Sequence, residues 1–504
     1  MTNSSSALPA PVVAAYARLR ERPEDVGRAV ELAALLHEYG HHDAAIDLRN
    51  QIAASMAAAA QRNIDPDILI DIERTLYSRL VTKIETEENA RAGFQSWVRT
   101  MSDLGRKFQS RDLPKALHHP TPERPWRVAF LLQTAAMLGH TDMMLAMLRH
   151  RPKSRLWSEP PIVFTLMGEN EKLASALADL GVRLISLEKE SGLSPQKAVE
   201  SFSYLRERIA HEGVTHLVWV SAPSTSDFAF AMRIAPAQIF WTLKFHPYRL
   251  QEIDGYISYG SWHETTRLVH GEEWQVVPQS LEAPSRKVTE QEVAEARRLY
   301  AQHDVLLGTL ARSEKFNSSA FVQAVIRILR ENPNAGYLWT GREIHAGVQQ
   351  QFEQAGVASQ CHFIGWVDTA LYANALDVFL ETFPFGCGIT GMQALYVGTP
   401  FLSYQSPETL LGMNFARPLA ENAAAAEEIR RLIFPGEGSG LLYPSTVDEY
   451  VALANRLIRD SDFRHAVGDA GKEFYVNYLG NSAEMAKRFF AIVENCKRPA
   501  GVEA

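Results

Sequence analysis

At 504 residues the chain is too long for one hydrophobic core and implies two to four domains. Its 46% hydrophobic and 22% charged residues are those of an ordinary soluble globular protein, and a net charge of -8 excludes a general nucleic-acid binder, which needs a basic field. Three cysteines, Cys361, Cys387 and Cys496, lie far apart without a C-x-x-C, which excludes a cysteine-based zinc knuckle and fits a reducing, cytoplasmic compartment.

The opening "MTNSSSALPAPVVAAYARLRERPED" has no basic n-region followed by an apolar core, and no run approaches the ~18 apolar residues of a spanning helix, so neither a signal peptide nor a membrane span is expected. Residues 1–122 read as an all-α domain. "RPEDVGRAVELAALLHEYGHHDAAIDLRNQIAAS" carries apolar residues at helical spacing and breaks at Tyr39-Gly40. Ala44, Ala45 and Leu48 then sit on a second helix, the pattern of a tetratricopeptide-like hairpin. One such hairpin cannot bury its own face, so a short array or a dock onto the next domain is implied. Further helices follow in "DILIDIERTLYSRLVTKIE" and "ENARAGFQSWVRTMSDLGRKF".

After "HHPTPERP" the texture changes, and residues 123–285 read as a first Rossmann-like domain. "WRVAFLLQ", "PIVFTLMG", "RLISLE", "THLVWVSA", "AQIFWTL" and "DGYISYG" are short apolar runs without helical period, separated by amphipathic segments such as "PQKAVESFSYLRERIAHEG". Strands alternating with helices imply a parallel sheet covered on both faces. The polar "EAPSRKVTEQEV" (282–293) reads as a linker. A second series occupies 286–504, with strands in "VLLGTLAR", "GYLWTG", "CHFIGW", "DVFLET" and "PFLSY" and closing helices near 447–460 and 463–496.

Between the last two of these strands, Gly386, Gly388 and Gly391 have the spacing G-x-G-x-x-G. A dinucleotide fold places that fingerprint in its first βα turn and an acid at the end of the next strand. Here it follows the fourth strand, and the next strand ends in Ser403-Tyr404-Gln405, so neither NAD nor FAD is expected. The physics of such a turn still favours a phosphate, because glycines let backbone N–H groups close on an anion and a helix N-terminus adds ~0.3–1 kcal/mol. The plain alternative is a tight strand-to-helix turn without ligand.

Three segments carry a resemblance. "GHTD" (139–142), "RIAPAQIFWTLKFHP" (233–247) and "DVFLETFPFGCGITGMQALYVGTP" (377–400) are similar, in this order, to segments of the O-GlcNAc transferases and the bacterial cytoplasmic N-glycosyltransferases that modify adhesins. The likeness spans about 125–480, with helical repeats in front as in that family. It implies a GT-B fold, two Rossmann-like domains in tandem behind a tetratricopeptide-like domain. The implied donor is a UDP-sugar bound as substrate, with no other cofactor. The implied acceptor is a polypeptide, a bacterial surface protein or adhesin being the family's example.

The resemblance further implies that Gly388, Ile389, Thr390 and Gly391 wrap the diphosphate with backbone donors, Thr390 adding its hydroxyl. Arg312 and Lys315 would reach the β-phosphate from the end of the second domain's first strand, in charge-assisted bonds worth roughly 1.5–3 kcal/mol each. The backbone of Phe363, Ile364 and Gly365 would meet uracil. Gln393 stands where the family often has the aspartate that grips the ribose, and as an amide it would bind more weakly. Retaining GT-B enzymes usually place two glutamates eight positions apart around this turn; Phe385 and Gln393 occupy those positions, so inversion is expected. In the first domain His140 and Asp142, in the loop after the first strand, and His246, after the fifth, lie at carboxyl ends of strands, where open α/β sheets bind ligands. Each is a candidate for general-base work or for a structural hydrogen bond. No metal site is expected: the D-x-D of the helical domain, Asp65-Pro66-Asp67, reads as a helix N-cap with proline at the first helical position.

The reading is thus an inverting, metal-independent glycosyltransferase that moves a hexose or N-acetylhexosamine from a UDP-sugar to an Asn, Ser or Thr side chain. Its alternatives are a GT-B enzyme acting on a saccharide or small molecule, and an inactive nucleotide-sugar-binding scaffold.

Overall fold

The computed structural model describes residues 8–496 apart from 40, 63, 80–86, 111–119, 122–124, 154–156, 195, 221–224, 243–249, 261–264, 270–271, 279, 281, 283–286, 345, 384–385, 405–443 and 445. Two compact units emerge. The first comprises Met1–Tyr259, Thr266–Val277 and Ala486–Ala504, and the second Gly260–Thr265 and Pro278–Met485.

The first unit begins with helices α1 (Ala10–Glu21), α2 (Val26–Glu38), α3 (His42–Gln61), α4 (Pro66–Arg79) and α5 (Glu87–Arg106). Local chemistry sets their ends: Asp65 Oδ1 accepts the Asp67 N–H at 3.0 Å, so the D-x-D does cap α4. The alternating series follows as β1 (Val128–Thr134), α6 (Gly139–Arg149), β2 (Ile162–Met167), α7 (Glu171–Asp179), β3 (Arg183–Ser186), α8 (Leu187–Ser191), α9 (Ala198–His211), β4 (His216–Val220), α10 (Ser226–Ala231), β5 (Ala237–Trp241) and β6 (Gly255–Gly260). A hairpin of β7 (Thr266–Val269) and β8 (Glu272–Pro278) completes an eight-stranded sheet of order β3-β2-β1-β4-β5-β6-β8-β7. The β7–β8 pair is antiparallel.

The helical segment docks within the first unit, one of the two arrangements its hairpin pattern implied. Val30, Met56, Trp97, Met101 and Leu104 share one buried cluster with Leu131, Trp219 and Phe230. The backbones of α5 and α10 come so close that a Cβ on Gly105 would lie 2.4 Å from the Phe228 carbonyl oxygen. The apolar faces that a short hairpin array cannot cover alone are covered by the sheet's own helices.

The R-x-A-P-x-Q segment is a strap inside this unit. Arg233, at the strained φ of 55°, donates through Nη1 to the Glu252 carbonyl and through Nη2 to the Pro236 carbonyl, each at 2.6 Å, and Nη2 also reaches Asp254 Oδ2 at 2.7 Å. The buried Gln238 amide accepts from Ile234 and Ala235 N–H and donates to the Phe230 and Glu252 carbonyls. Every one of these bonds stays within the fold.

The second unit has α11 (Glu290–Arg298), β9 (Val305–Thr309), α12 (Ser319–Glu331), β10 (Ala335–Trp339), α13 (Ala346–Gln354), β11 (Cys361–Phe363), α14 (Thr369–Ala375), β12 (Val378–Leu380), α15 (Ile389–Val397), β13 (Phe401–Leu402), α16 (Val447–Arg459), α17 (Ser461–Phe474) and the start of α18 (Ser482–Asn495). Its strands form a parallel sheet of order β11-β10-β9-β12-β13. Part of the expected linker is helical: Thr289 and Glu292 form a reciprocal capping box that opens α11. The long closing helix expected over 463–496 is broken into α17 and α18 by a π turn at Tyr475–Leu479. Its last part also belongs elsewhere than the sequence placed it. From Ala486 onward α18 packs in the first unit, where Phe489 meets Phe130 and Trp241, and Glu494 accepts from the Trp157 indole N–H at 2.5 Å.

Candidate functional site

In an open α/β sheet ligands bind beyond the carboxyl ends of the strands where the strand order reverses. In the second unit that point lies between β9 and β12, which run side by side with Gly308 opposite Phe379. Two of the expected features emerge there. Lys315 follows β9 in the 3-10 turn Ser313–Asn317, and the glycine turn follows β12. The structure joins them: the Lys315 ammonium donates to the Gly386 carbonyl. Arg312 heads the same 3-10 turn but is exposed.

Each glycine has a separate reason. Gly388 caps α15 at φ 61°, ψ -116°, a conformation for glycine alone. Gly391 lets helix and sheet close, since a Cβ there would lie 2.4 Å from the Phe401 ring. The assignment of four backbone donors to a diphosphate needs correction. The N–H of Gly388 is turned to the Glu381 carboxylate, and that of Gly391 donates to the Gly388 carbonyl at 3.0 Å. The Thr390 hydroxyl is also committed, donating to the Leu310 carbonyl at 2.6 Å. What remains is the pair at the first two helical positions, Ile389 and Thr390, whose N–H groups lack intrahelical partners by the geometry of any α-helix. One turn further along, the buried Oε1 of Gln393 has no hydrogen-bond partner.

Glu381 was not singled out in the sequence. It is 2% exposed, and Oε1 accepts from the Cys387 N–H at 2.8 Å while Oε2 accepts from the Ser403 hydroxyl at 2.6 Å. Burial pushes the carboxyl up to about 7, against the opposing pull of Ser403, Lys315 and the two turn amides. A charged residue closing the apolar run Val378-Phe379-Leu380 was the signal available.

Phe363, Ile364 and Gly365 lie at the sheet's other edge. The Ile364 N–H is taken by the Trp339 carbonyl at 3.0 Å and is unavailable to a base, while the Gly365 carbonyl accepts from Gly341 at 3.3 Å. Just beyond, the Trp366 indole is 64% exposed with the Arg342 guanidinium 5.8 Å from its ring centre.

The first unit has its own reversal between β1 and β4. His140 and Asp142 are there, in the first turn of α6 rather than in a loop. Burial pushes the Asp142 carboxyl up to about 6. His246 lies outside the described residues, as does Phe385. After β4, the sequence reading missed a carboxyl pair. Glu73 of α4 accepts the Thr225 N–H with both oxygens at 3.1 Å, next to the buried Asp227. Burial raises both, Asp227 to about 8, and the Asp227 carboxylate further opposes ionisation of Glu73.

No protein-family model matches the sequence, and no curated protein matches it either. Solved structures do. A mutant of the Thermobaculum terrenum O-GlcNAc transferase aligns over 96% of this chain and 94% of its own, at 15% identity and a TM-score of 0.57. Anabaena HepE, solved with UDP and glucose, aligns over 73% of this chain and 100% of its own, at 11% identity and a TM-score of 0.52. A Rickettsia africae glycosyltransferase aligns over 74% and 98%, at 10% identity and a TM-score of 0.50. The fold is GT-B. This GT-B chain therefore has the expected α/β class, with two Rossmann-like units and a helical segment at its head. Among the described residues no helix is long and apolar enough to cross a membrane.

Proposed function

We propose that the protein is a glycosyltransferase that takes a hexose or N-acetylhexosamine from a UDP-sugar, with inversion, without a metal, and gives it to a polypeptide side chain. The observation that carries this reading is the meeting of Lys315 with the glycine turn at the β9/β12 reversal, where a fixed cation and a helix N-terminus share one place. In that reading the diphosphate takes the Ile389 and Thr390 N–H groups and the Lys315 ammonium. Negative charge builds on the leaving phosphate as the sugar–oxygen bond breaks, and the lysine gains strength at that moment. Gln393 Oε1, buried without a partner, suits a ribose hydroxyl, which can donate to it. The base would reach the β11 edge, three strand spacings or about 14 Å from β12. Asp142, raised towards neutrality, is the better poised of the described first-unit candidates to take a proton from an acceptor.

The polypeptide acceptor is supported by the helical hairpins and by a solved O-GlcNAc transferase that matches the helical segment as well. One observation favours a saccharide or small-molecule acceptor instead: α5 spends its apolar face on α10, as a purely structural segment would.

The test is a panel of UDP-, GDP- and ADP-sugars assayed for hydrolysis and for transfer to cell-extract proteins, with and without EDTA. UDP-sugar turnover that survives EDTA and labels protein is expected. Activity lost to EDTA and restored by manganese defeats the metal-independent mechanism, and labelling of glycans alone moves the acceptor to the alternative.

A further inference from the structure

We propose that Glu381 is the positioning residue of the glycine turn: its carboxylate holds the N–H of Cys387 from the protein side and faces that of Gly388, leaving those of Ile389 and Thr390 as the donors offered to a phosphate. The identity of that ligand rests on the function proposed above; the geometry of the turn does not.

A carboxylate at the end of a wholly buried strand is costly unless its oxygens are filled. Those of Glu381 are filled by the Cys387 N–H and the Ser403 hydroxyl, and the residue's own carbonyl accepts from the Tyr450 hydroxyl at 3.2 Å. The residue is thus pinned to β13's far end and to α16 before any ligand arrives. Its partners pin the turn in sequence: the Cys387 N–H faces inward to the carboxylate, and the next residue, Gly388 at positive φ, starts α15 outward. In α15 the first N–H groups point out along the helix axis. Without the carboxylate the inward amides would lose their acceptor, and the turn its reason to hold the glycine conformation.

The titratable groups facing Glu381 are Lys315 from the 3-10 turn after β9, Cys387 within the glycine turn and Tyr450 from α16, with Tyr337 of β10 acting on Cys387 and Tyr450. Lys315 is the one cation among these, and it also holds the Gly386 carbonyl. A diphosphate engaging that ammonium weakens its hold on Glu381 and adds negative charge nearby. Both changes favour the protonated acid. Because the carboxyl already titrates at about 7, ligand binding takes up a proton near neutral pH and weakens as pH rises.

The experiment is calorimetric titration of UDP into the full-length wild type and Glu381→Gln at pH 6 and pH 8, the ligand's own titration cancelling in the ratio. If binding raises the carboxyl by one unit from about 7, the wild-type Kd weakens ~5-fold relative to the variant across that interval. Glu381→Asp, which keeps a titrating carboxyl, regains part of the pH dependence. A readout without nucleotide runs alongside: amide hydrogen exchange of the ligand-free proteins, in which Cys387 or Gly388 loses protection by ~10-fold in Glu381→Gln. If Glu381→Gln does not fold, Ser403→Ala serves, because removing a donor to the carboxylate moves the midpoint of the pH dependence upward. A wild type that binds no UDP while the exchange change appears defeats the proposed function and leaves the positioning role standing. Equal exchange at both amides in wild type and Glu381→Gln, or a Ser403→Ala midpoint that does not move, overturns the inference.

Discussion

The two parallel sheets reverse their strand order in the same way and set opposite chemistry at the reversal. Beyond β1 and β4 the first unit places acids: Asp142 in the first turn of α6, and Asp227 paired with Glu73, all raised by burial. Beyond β9 and β12 the second unit places Lys315 and the N-terminus of α15, and keeps the buried acid Glu381 turned inward on its own backbone. Topology thus decides where each unit can act, and side-chain charge decides on what. One end is suited to accept a proton, the other to hold an anion.

The largest effect that would break this contrast is expected at Lys315. Under the proposed function, Lys315→Ala removes the fixed cation beside the leaving phosphate and lowers kcat by ~100- to 1,000-fold, as loss of one transition-state donor does elsewhere. The affinity for UDP falls less, because the Ile389 and Thr390 N–H groups remain. Steady-state kinetics beside calorimetry reads both numbers. Near-normal turnover would move the phosphate role to the exposed Arg312.

On the acid side, Asp142→Asn tests whether the first unit supplies the base. General-base removal costs ~100-fold at the lower end of its usual range, and the acidic limb of the kcat/KM profile, set near pH 6 in the wild type, disappears with it. UDP binding to the second unit is expected to stay as it was. A variant that keeps both its rate and its acidic limb assigns the proton transfer to another group, with His140 next in line.

Much of this was legible in the sequence, for physical reasons. Buried parallel strands are continuous apolar runs, so "VLLGTLAR" and "GYLWTG" announced β9 and β10. The β7–β8 hairpin escaped because β7, at the sheet's edge, is only four residues long. The glycine turn was found, but not which of its groups are spent: Glu381 bonds Ser403 and the Thr390 hydroxyl bonds Leu310, partners that sequence spacing cannot reach. Glu73 and Asp227 come together only because α4 docks on the turn after β4, a contact 152 residues long in sequence.

A smaller effect sharpens the distinction between scaffold and site. The R-x-A-P-x-Q strap carries as much of the sequence resemblance as the glycine turn, yet its polar groups are consumed by the fold. Gln238→Ala strands two N–H groups and two carbonyls in a buried place and is expected to cost ~1–3 kcal/mol of stability. It should leave the UDP Kd unchanged. Denaturant unfolding of the first unit measures the loss, and a weakened UDP affinity in a folded variant would draw the strap into the site.

The smallest expected effect concerns the acid pair itself. Asp227 titrates at about 8 in the folded protein, well above the ordinary carboxyl value, chiefly because it is buried and with Glu73 as its neighbour. The folded state therefore keeps a proton that the unfolded chain has released. Stability from this source is fully present below about pH 4 and is lost as pH rises through 8, since ∂ΔG/∂pH is negative wherever the native state binds more protons. Arg74 lies near enough to Glu73 to oppose the effect in part, and the Phe228 N–H does the same for Asp227. Asp227→Asn removes the titrating group while keeping an amide of nearly the same shape, so its stability relative to the wild type should rise as pH goes from 5 to 8. Thermal unfolding at the two pH values gives the comparison directly. A wild type whose midpoint falls between pH 5 and pH 8, beside a variant whose midpoint falls less, places the retained proton on this pair. Parallel curves for the two proteins would mean that Asp227 is ionised throughout, and that the first unit's reversal holds its acids charged.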